Sequence, residues 1–360
     1  MRVALVCPYD LDAPGGVQVH VTGLAEQLRT RGHLVEVFGP GSGGLGTPIG
    51  VPYRGTVAPI APWPGGVRLA RRAFTRFEPD IVHVHEPFTP SASMWATLAA
   101  TAPVVATFHA WLDRSRIYEL AGPVLAPVRR RLASTIAVSP AAAEFDGRAV
   151  PRLDPEVIPN GLSVARFAEA MPRAWPPGRR IAWAHRLDRQ KGFMVMVEAF
   201  RSLAEERGDL WLTVGGDGVD RRAGEVLPDR LRGRVMMLGS LDHAQVPSLL
   251  AGADVAVAAA TGQESFGYSI VEAMAAGVPV VATDIEGYRQ VATAGVDALL
   301  VPPGDADALA AAIGRVLDDG GLASRLCEAG HRRAASFDWP VVAGRVESVY
   351  RSVLAGPSLR

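Results

Sequence analysis

Short apolar runs alternate with amphipathic stretches along most of this chain. Val3–Cys7, Leu34–Phe38, Ile81–His85, Val104–Thr107 and Ile136–Val138 are rich in Val and Ile and read as short buried strands. Between them lie helical patterns such as Val17–Arg31, which stops at Gly32. Alternation of this kind predicts a parallel sheet with helices on both faces. Ligands of such sheets gather beyond the carboxyl ends of the strands, so chemistry is expected in the loops after Cys7, His85 and Thr107. The stretch Met171–Arg180, MPRAWPPGRR, reads as a linker. After it the alternation resumes with Ile181–Ala184, Leu210–Val214, Val235–Leu238, Val255–Ala258, Val278–Ala282 and Ala298–Val301, which predicts a second doubly wound α/β domain. The last pattern, Pro340–Leu354, is a helix opened by Asp338-Trp339-Pro340, with proline in its first turn. No strand follows it, so it is expected to return to the first domain. The domains expected are therefore residues 1–170 with 340–360, and residues 171–339.

Composition changes this picture little. In a chain of 360 residues, 37 Lys and Arg balance 37 Asp and Glu, so no global field draws the protein to nucleic acid or an acidic partner. Cys7 and Cys327 lie at opposite ends and form neither a disulfide framework nor a metal-spaced pair. The chain opens on a strand pattern rather than a signal peptide, and no apolar run reaches membrane-spanning length. A cytoplasmic protein is expected. The Gly-rich stretch Gly39–Gly46 lacks the Lys-Ser/Thr ending of a phosphate-binding loop and reads as a plain loop. One compositional detail does matter: Lys191 is the sole lysine. Arg serves every other basic position, which points to a compact charge on a flexible stem being needed here.

Candidate chemistry centres on Thr261–Asp284, TGQESFGYSIVEAMAAGVPVVATD. It sets Glu264 and Glu272 around a Ser-Phe-Gly turn, with a helix pattern that stops at Gly277 and a strand pattern after it. The amides near Phe266 to Ser269 would open a helix and lack intrahelical partners, a place for hydroxyl or anionic oxygens. The plain alternative is an ordinary αβ unit with two surface glutamates. In Arg186-Leu187-Asp188-Arg189-Gln190-Lys191-Gly192, two cations bracket a tight loop between a strand and a helix and would converge on a diphosphate. In the first domain, Pro8–Gln18 carries Gly15-Gly16 before a helix, a pair that lets backbone approach a phosphate or simply makes a turn. His83 and His85 share one strand face. They lack a third ligand of suitable spacing and read as core or loop-anchoring residues rather than a metal pair. His109 follows a strand end, where a polar ring is well placed for a ligand.

On these motifs the chain resembles the family 4 retaining glycosyltransferases of the two-domain GT-B fold. The motifs are Arg186-Leu187-x-x-x-Lys191-Gly192 and the spaced pair Glu264 and Glu272, and the likeness extends to Ile158-Pro159-Asn160-Gly161 and Phe337-Asp338-Trp339. Within that family CPYDLDAPGGVQVHV, HVHEP at 83–87 and ATFHA at 106–110 look most like the phosphatidyl-myo-inositol mannosyltransferases of actinobacteria. The resemblance implies two Rossmann-like domains facing across a cleft. It implies that Arg186 and Lys191 hold the donor diphosphate and that Glu272 binds the ribose. Glu264 and the amides of Phe266 and Gly267 would hold the transferred sugar, with Tyr268, Ser269 and Ile270 also on the donor side. Gly16 would close on the diphosphate, His109 would contact the sugar, and Leu241 would lie near the base. Tyr9, Asp12 and Gln18 would line the acceptor side, and Arg54 would substitute for the family's acceptor-phosphate arginine, which this chain lacks at its usual place.

Two departures stand out. His185 precedes Arg186 where the family has glycine, which would crowd the diphosphate loop. The turn Tyr53-Arg54-Gly55-Thr56 replaces the family's Tyr-Asn-Gly-Ser-like turn, and Pro59 stands where an acceptor-binding arginine is expected. Beyond it, Val67, Ala70, Phe74 and Phe77 share a helical face while Arg68, Arg71, Arg72 and Arg76 make a basic one, with Arg129-Arg130-Arg131 as a second cluster. That pattern fits either a helix lying on an anionic membrane or a domain helix with a solvated arginine face. The expected activity is retaining transfer of a hexose, mannose from GDP-mannose, to an inositol lipid at the inner membrane surface, without a tightly bound cofactor or protein-bound metal. The alternatives are transfer to a soluble small acceptor, a nucleotide-sugar epimerase, and a binding protein without activity. A glycosidase using the two glutamates as acid and base is disfavoured by the accompanying Arg and Lys.

Overall fold

A computed structural model describes residues 1–13, 15–53, 56–109, 122–149, 154–262, 264 and 266–356. It divides into two compact units, Met1–Gly161 with Trp339–Arg360, and Leu162–Asp338.

In the first unit the strands β1 (Arg2–Val6), β2 (Leu34–Phe38), β5 (Ile81–His85), β6 (Val104–Phe108), β7 (Leu132–Ala137) and β8 (Glu156–Val157) form a parallel sheet in the order β2-β1-β5-β6-β7-β8. Val3 of β1 lies opposite Val35 on one side and Ile81 on the other. Strand side chains alternate between faces, and here both faces are covered. Val3 and Leu5 pack with Val21, Leu24 and Leu28 of α1 (Gly16–Thr30) and with Val346 and Tyr350 of the terminal helix Trp339–Ala355. Ala4 and Val6 pack in the opposite core with Ala70 and Phe74 of α2 (Gly66–Phe77) and Ala92 and Ala96 of α3 (Ala92–Ala99). A sheet buried on both faces leaves neither parity polar, so its strands read as unbroken apolar runs.

Gly32, at φ 85°, ends α1 with its N–H bonded to Arg29 O at 2.9 Å. The terminal helix returns to the first unit through Trp339, Val342 and Tyr350, and its buried Glu347 accepts from Arg31 Nε at 2.8 Å. The stretch Gly39–Gly46 contains a short 3-10 turn, Gly41–Gly43, and is anchored by buried Leu45, whose N–H donates to Gly39 O at 2.8 Å. The apolar face of α2 belongs to the core, with Phe74 edge-on to Phe38, while Arg68, Arg71, Arg72 and Arg76 are exposed.

Sequence pattern did not reveal the antiparallel hairpin of β3 (Ile49–Tyr53) and β4 (Thr56–Ile60), because Gly50, Pro52 and Pro59 break the strand signal. Asp10 N–H donates to Pro59 O at 2.9 Å and ties the hairpin to the loop after β1. Arg54, expected to meet the acceptor phosphate, lies outside the described residues.

The second unit repeats the scheme. Strands β9 (Arg179–Ala184), β10 (Leu210–Gly215), β11 (Val235–Met237), β12 (Val255–Ala258), β13 (Val280–Thr283) and β14 (Leu299–Val301) stand in the order β11-β10-β9-β12-β13-β14. All neighbours are parallel, and the order reverses between β9 and β12. Ile181 and Trp183 face one core with Phe193 and Phe200, whereas Ala182, Ala256 and Ala258 face another with Ile270 and Met274. Residues 162–170, placed with the first domain on the sequence, fall in the second unit, since Leu162, Val164 and Phe167 join that second core. Among the described residues no helix is long and apolar enough to cross a membrane.

Candidate functional site

The point where strand order reverses is the crevice-forming position of a doubly wound sheet. The loop after β9 and the loop after β12 both start there. Leu187, fully buried, anchors the first of them, with its N–H on Asp217 O at 3.0 Å. The Asp188 carboxylate accepts the Lys191 N–H at 2.8 Å and folds the loop back on itself. Gly192 sits at φ 75°, and a Cβ there would lie 1.9 Å from Ala259 O. Only glycine allows so close an approach of the two loops. Thr261 then joins them, its N–H on Gln190 O at 2.9 Å.

This stitching brings the only lysine to Glu264: Lys191 Nζ bonds Glu264 Oε2, with both side chains partly covered. Arg186 lies on the rim, half exposed, 3.2 Å from Asp188. His185 does not crowd the loop in the way the sequence suggests. Its ring donates from Nε2 to Val257 O at 3.2 Å, and burial, then the charge of Lys191, push its pKa down to about 3. It is a neutral filler between β9 and β12.

The helix Tyr268–Ala275 starts at Gly267, φ 83°, and a Cβ on Gly267 would crowd the Tyr288 ring at 2.9 Å. Gly277, φ 70°, closes the helix, with Val278 N–H on Ala273 O at 3.0 Å, as the sequence predicts. Phe266 and Ile270, expected on the donor side, bury their side chains in the core, which leaves only backbone groups for a ligand. Ser269 is partly covered, and Tyr268 packs on Phe266, its phenol held protonated by burial and by Glu272. Glu272 is 7% exposed and lies 3.2 Å from His243 Nε2, whose other nitrogen is 3.3 Å from Arg166. Sequence reading missed His243 and Arg166; the signal was the nearness of His243 to Leu241. Leu241 packs against Gly215, where a Cβ would come within 2.5 Å of it.

In the first unit, Gly16 opens α1 and is exposed, and Gly15 before it is extended backbone with the Gln18 amide lying over it. Gln18 donates to Asp10 O at 3.2 Å, and Asp12 accepts from Ser42 N–H at 3.1 Å, so both shape the loop after β1. Tyr9 bridges to Ile60 of β4.

His109 directly follows β6 and is buried, its N–H held by Glu86 Oε1. Burial pushes its pKa down to about 3, with Asn160 acting in the opposite sense. His85, read as a core or loop anchor, joins it, and α1 adds His20, which sequence reading did not single out. The three place ring nitrogens within 4.8 Å of one another. Tetrahedral zinc is one occupant to consider, but His85 Nδ1 and His109 Nε2 are 2.9 Å apart. Two ligands on a tetrahedral zinc stand about 3.3 Å apart, given metal–nitrogen bonds of roughly 2.0–2.1 Å. The two rings share a hydrogen bond instead.

Comparison with known proteins accords with this layout. Residues 176–333 match the family described as "Glycosyl transferases group 1", and residues 14–166 match "Glycosyltransferase Family 4". The chain is 38% identical to the phosphatidyl-myo-inositol mannosyltransferase of Mycolicibacterium smegmatis over 98% of this chain and 94% of that one. It is likewise 38% identical to that of Mycobacterium tuberculosis, over 98% and 97%. The solved glycosyltransferase of Rickettsia africae shares the fold, with TM-score 0.79 at 20% identity over 99% of both chains. The chain belongs to the GT-B glycosyltransferases of family 4, the family that contains the phosphatidyl-myo-inositol mannosyltransferases.

Proposed function

We propose that the protein transfers mannose, with retention, from GDP-mannose to the inositol of a phosphatidylinositol acceptor. The observation that carries this is the meeting of Lys191 and Glu264 at the switch point of the second sheet, with Arg186 on the rim. A cation joined to a carboxylate offers both partners to a ligand: the ammonium to a diphosphate, the carboxylate to sugar hydroxyls. Arg186 and Lys191 stabilise the charge that grows on the leaving diphosphate as the sugar–oxygen bond breaks. On the front-face route that the family resemblance implies, the departing phosphate takes the proton of the acceptor hydroxyl as the new bond forms. Glu272 accepts from ribose hydroxyls after release from His243, and the Gly267 turn supplies amides to the sugar. Gly16 contributes backbone to the diphosphate, and His109 contacts the sugar. Tyr9, Asp12, Gln18 and Arg54 belong to the acceptor side.

The test is a grid of sugar nucleotides against phosphatidylinositol, soluble acceptors and no acceptor. Transfer from GDP-mannose to phosphatidylinositol is expected. A better soluble acceptor, another preferred donor, or epimerised donor in the acceptor-free wells would each replace this reading.

A lipid acceptor calls for a surface that meets anionic lipid. The exposed arginines of α2 provide it, with Trp63, 54% exposed, just before the helix. Each arginine contributes about 1 kcal/mol near such a surface. Replacing Arg68, Arg71, Arg72 and Arg76 by Ser is expected to abolish co-sedimentation with phosphatidylinositol-containing vesicles. Unchanged sedimentation would remove this face from the account.

A further inference from the structure

Four histidine rings pack together beneath the carboxyl ends of β5 and β6. His83 stacks on His85 with ring centroids 4.6 Å apart and planes at 27°, and His85 stacks on His109 at 5.2 Å and 29°. His20 stands edge-on to His85 and His109, at 5.3 and 4.9 Å. One end of the stack is fixed. His83 Nδ1 is 2.6 Å from the Tyr350 hydroxyl, and its Nε2 is 2.7 Å from Thr107 Oγ1. The other end is His109, which reaches the stack through the hydrogen bond between its Nε2 and His85 Nδ1. The remaining nitrogen of His85, Nε2, is buried and has no partner among the described residues.

A neutral imidazole carries one N–H, so a single proton lies between His85 Nδ1 and His109 Nε2. If His109 supplied it, His85 would hold its own proton on Nε2, as a buried donor with nothing to receive it. If His85 supplies it, Nε2 is merely an unused lone pair. Orphaned buried N–H groups are rarer than under-used acceptors, so the second arrangement is favoured. It fixes the proton of His109 on Nδ1, because the tautomer of one ring nitrogen is set by the bond the other makes.

We propose that His85 is a positioning residue that donates from Nδ1 to His109 Nε2 and so locks His109 as a neutral Nδ1–H donor toward the transferred sugar. The inference rests on the reading that His109 contacts that sugar. Burial supports a neutral stack, holding His83 and His109 near a pKa of about 3 and His20 and His85 well below the usual range. A neutral donor meets a sugar oxygen without bringing a further positive charge to it.

Three substitutions separate the possibilities. His85→Asn places an amide nitrogen where Nδ1 stood, His85→Gln places one nearer Nε2, and His85→Phe keeps the ring and removes both nitrogens. The Phe and Gln variants are expected to lose about 10–100-fold in kcat, the usual scale for an orienting partner, with donor KM little changed. His85→Asn should recover most of that loss. Nitrogen-resolved imidazole NMR of the intact wild-type protein should show His109 protonated at Nδ1. An Nε2–H tautomer there, or an Asn variant no better than Phe, overturns the proposal. So does a tetrahedral Co2+ spectrum in tag-free protein that vanishes in His20→Gln, because the rings would then be ligands. Full activity in His109→Ala would instead overturn the sugar contact itself, and the NMR tautomer would still decide what His85 does.

Discussion

Around the strand ends of the second unit, Lys191 with Glu264 and Arg186 with Asp188 are partly exposed cation–carboxylate pairs, and His243 meets the buried Glu272. At the strand ends of the first unit stand His83, His85 and His109, backed by His20, all buried and kept neutral by burial. The scaffolds are alike and the polar design is opposite. Ion pairs that water reaches are weakly held and can exchange partners while a ligand enters. A buried ring stack cannot exchange without leaving polar atoms unmet. One unit is built to let go and regrip, the other to hold still.

The contrast can be tested at its strongest point first. Lys191→Ala should lower kcat by about 10²–10³-fold or more, the scale of losing one preorganised charge at a developing anion. Lys191→Arg should not restore it, because a planar fork cannot replace a point charge on a narrow stem. Release of nucleoside diphosphate reads both, and near wild-type turnover would break the assignment.

Acid is the next lever. The buried histidines have folded pKa values below their ordinary 6.5, so the unfolded chain takes up protons first as pH falls. Their contribution is intact above about pH 6.5 and is lost progressively as pH falls toward the depressed folded values, since stability rises with pH wherever the unfolded state binds more protons. Four such residues lie in the first unit, His20, His83, His85 and His109, against His185 in the second. Residue-resolved hydrogen exchange should therefore find the first unit opening at the higher pH. Coincident midpoints would erase the distinction.

The smallest expected effect is local. Gly192→Ala forces a side chain into the left-handed region against Ala259 O and should cost about 1–3 kcal/mol. Urea unfolding should place the loss in the second unit and leave the first unchanged.

Much of this was legible in the sequence, for physical reasons that differ by element. Runs such as Ile81–His85 and Val255–Ala258 were readable because a sheet covered on both faces leaves no parity polar. Gly32 and Gly277 were readable as helix ends because the left-handed conformation there suits glycine. Lys191 and Glu264 stood out by rarity and spacing, and their contact is what the stitched loops produce. The hairpin was not readable, because its prolines and Gly50 hide an edge pairing. The histidine stack was missed because its members come from α1, β5 and the position after β6, so sequence distance concealed their neighbourhood. The pairing of Glu272 with His243 was hidden likewise by 29 residues of separation. The basic helix was half readable: its arginines are exposed, but its apolar stripe is spent on the core.

The return of Trp339–Ala355 to the first unit has a consequence for the order of events during synthesis. Domains usually fold as units, the N-terminal one first, as the chain is made. Here Val3 and Leu5 have only α1 over them, and His83 lacks its Tyr350 partner, until Trp339–Ala355 is translated. The contiguous second unit, Leu162–Asp338, has all its residues before then. The N-terminal half of this protein is thus the last to be finished.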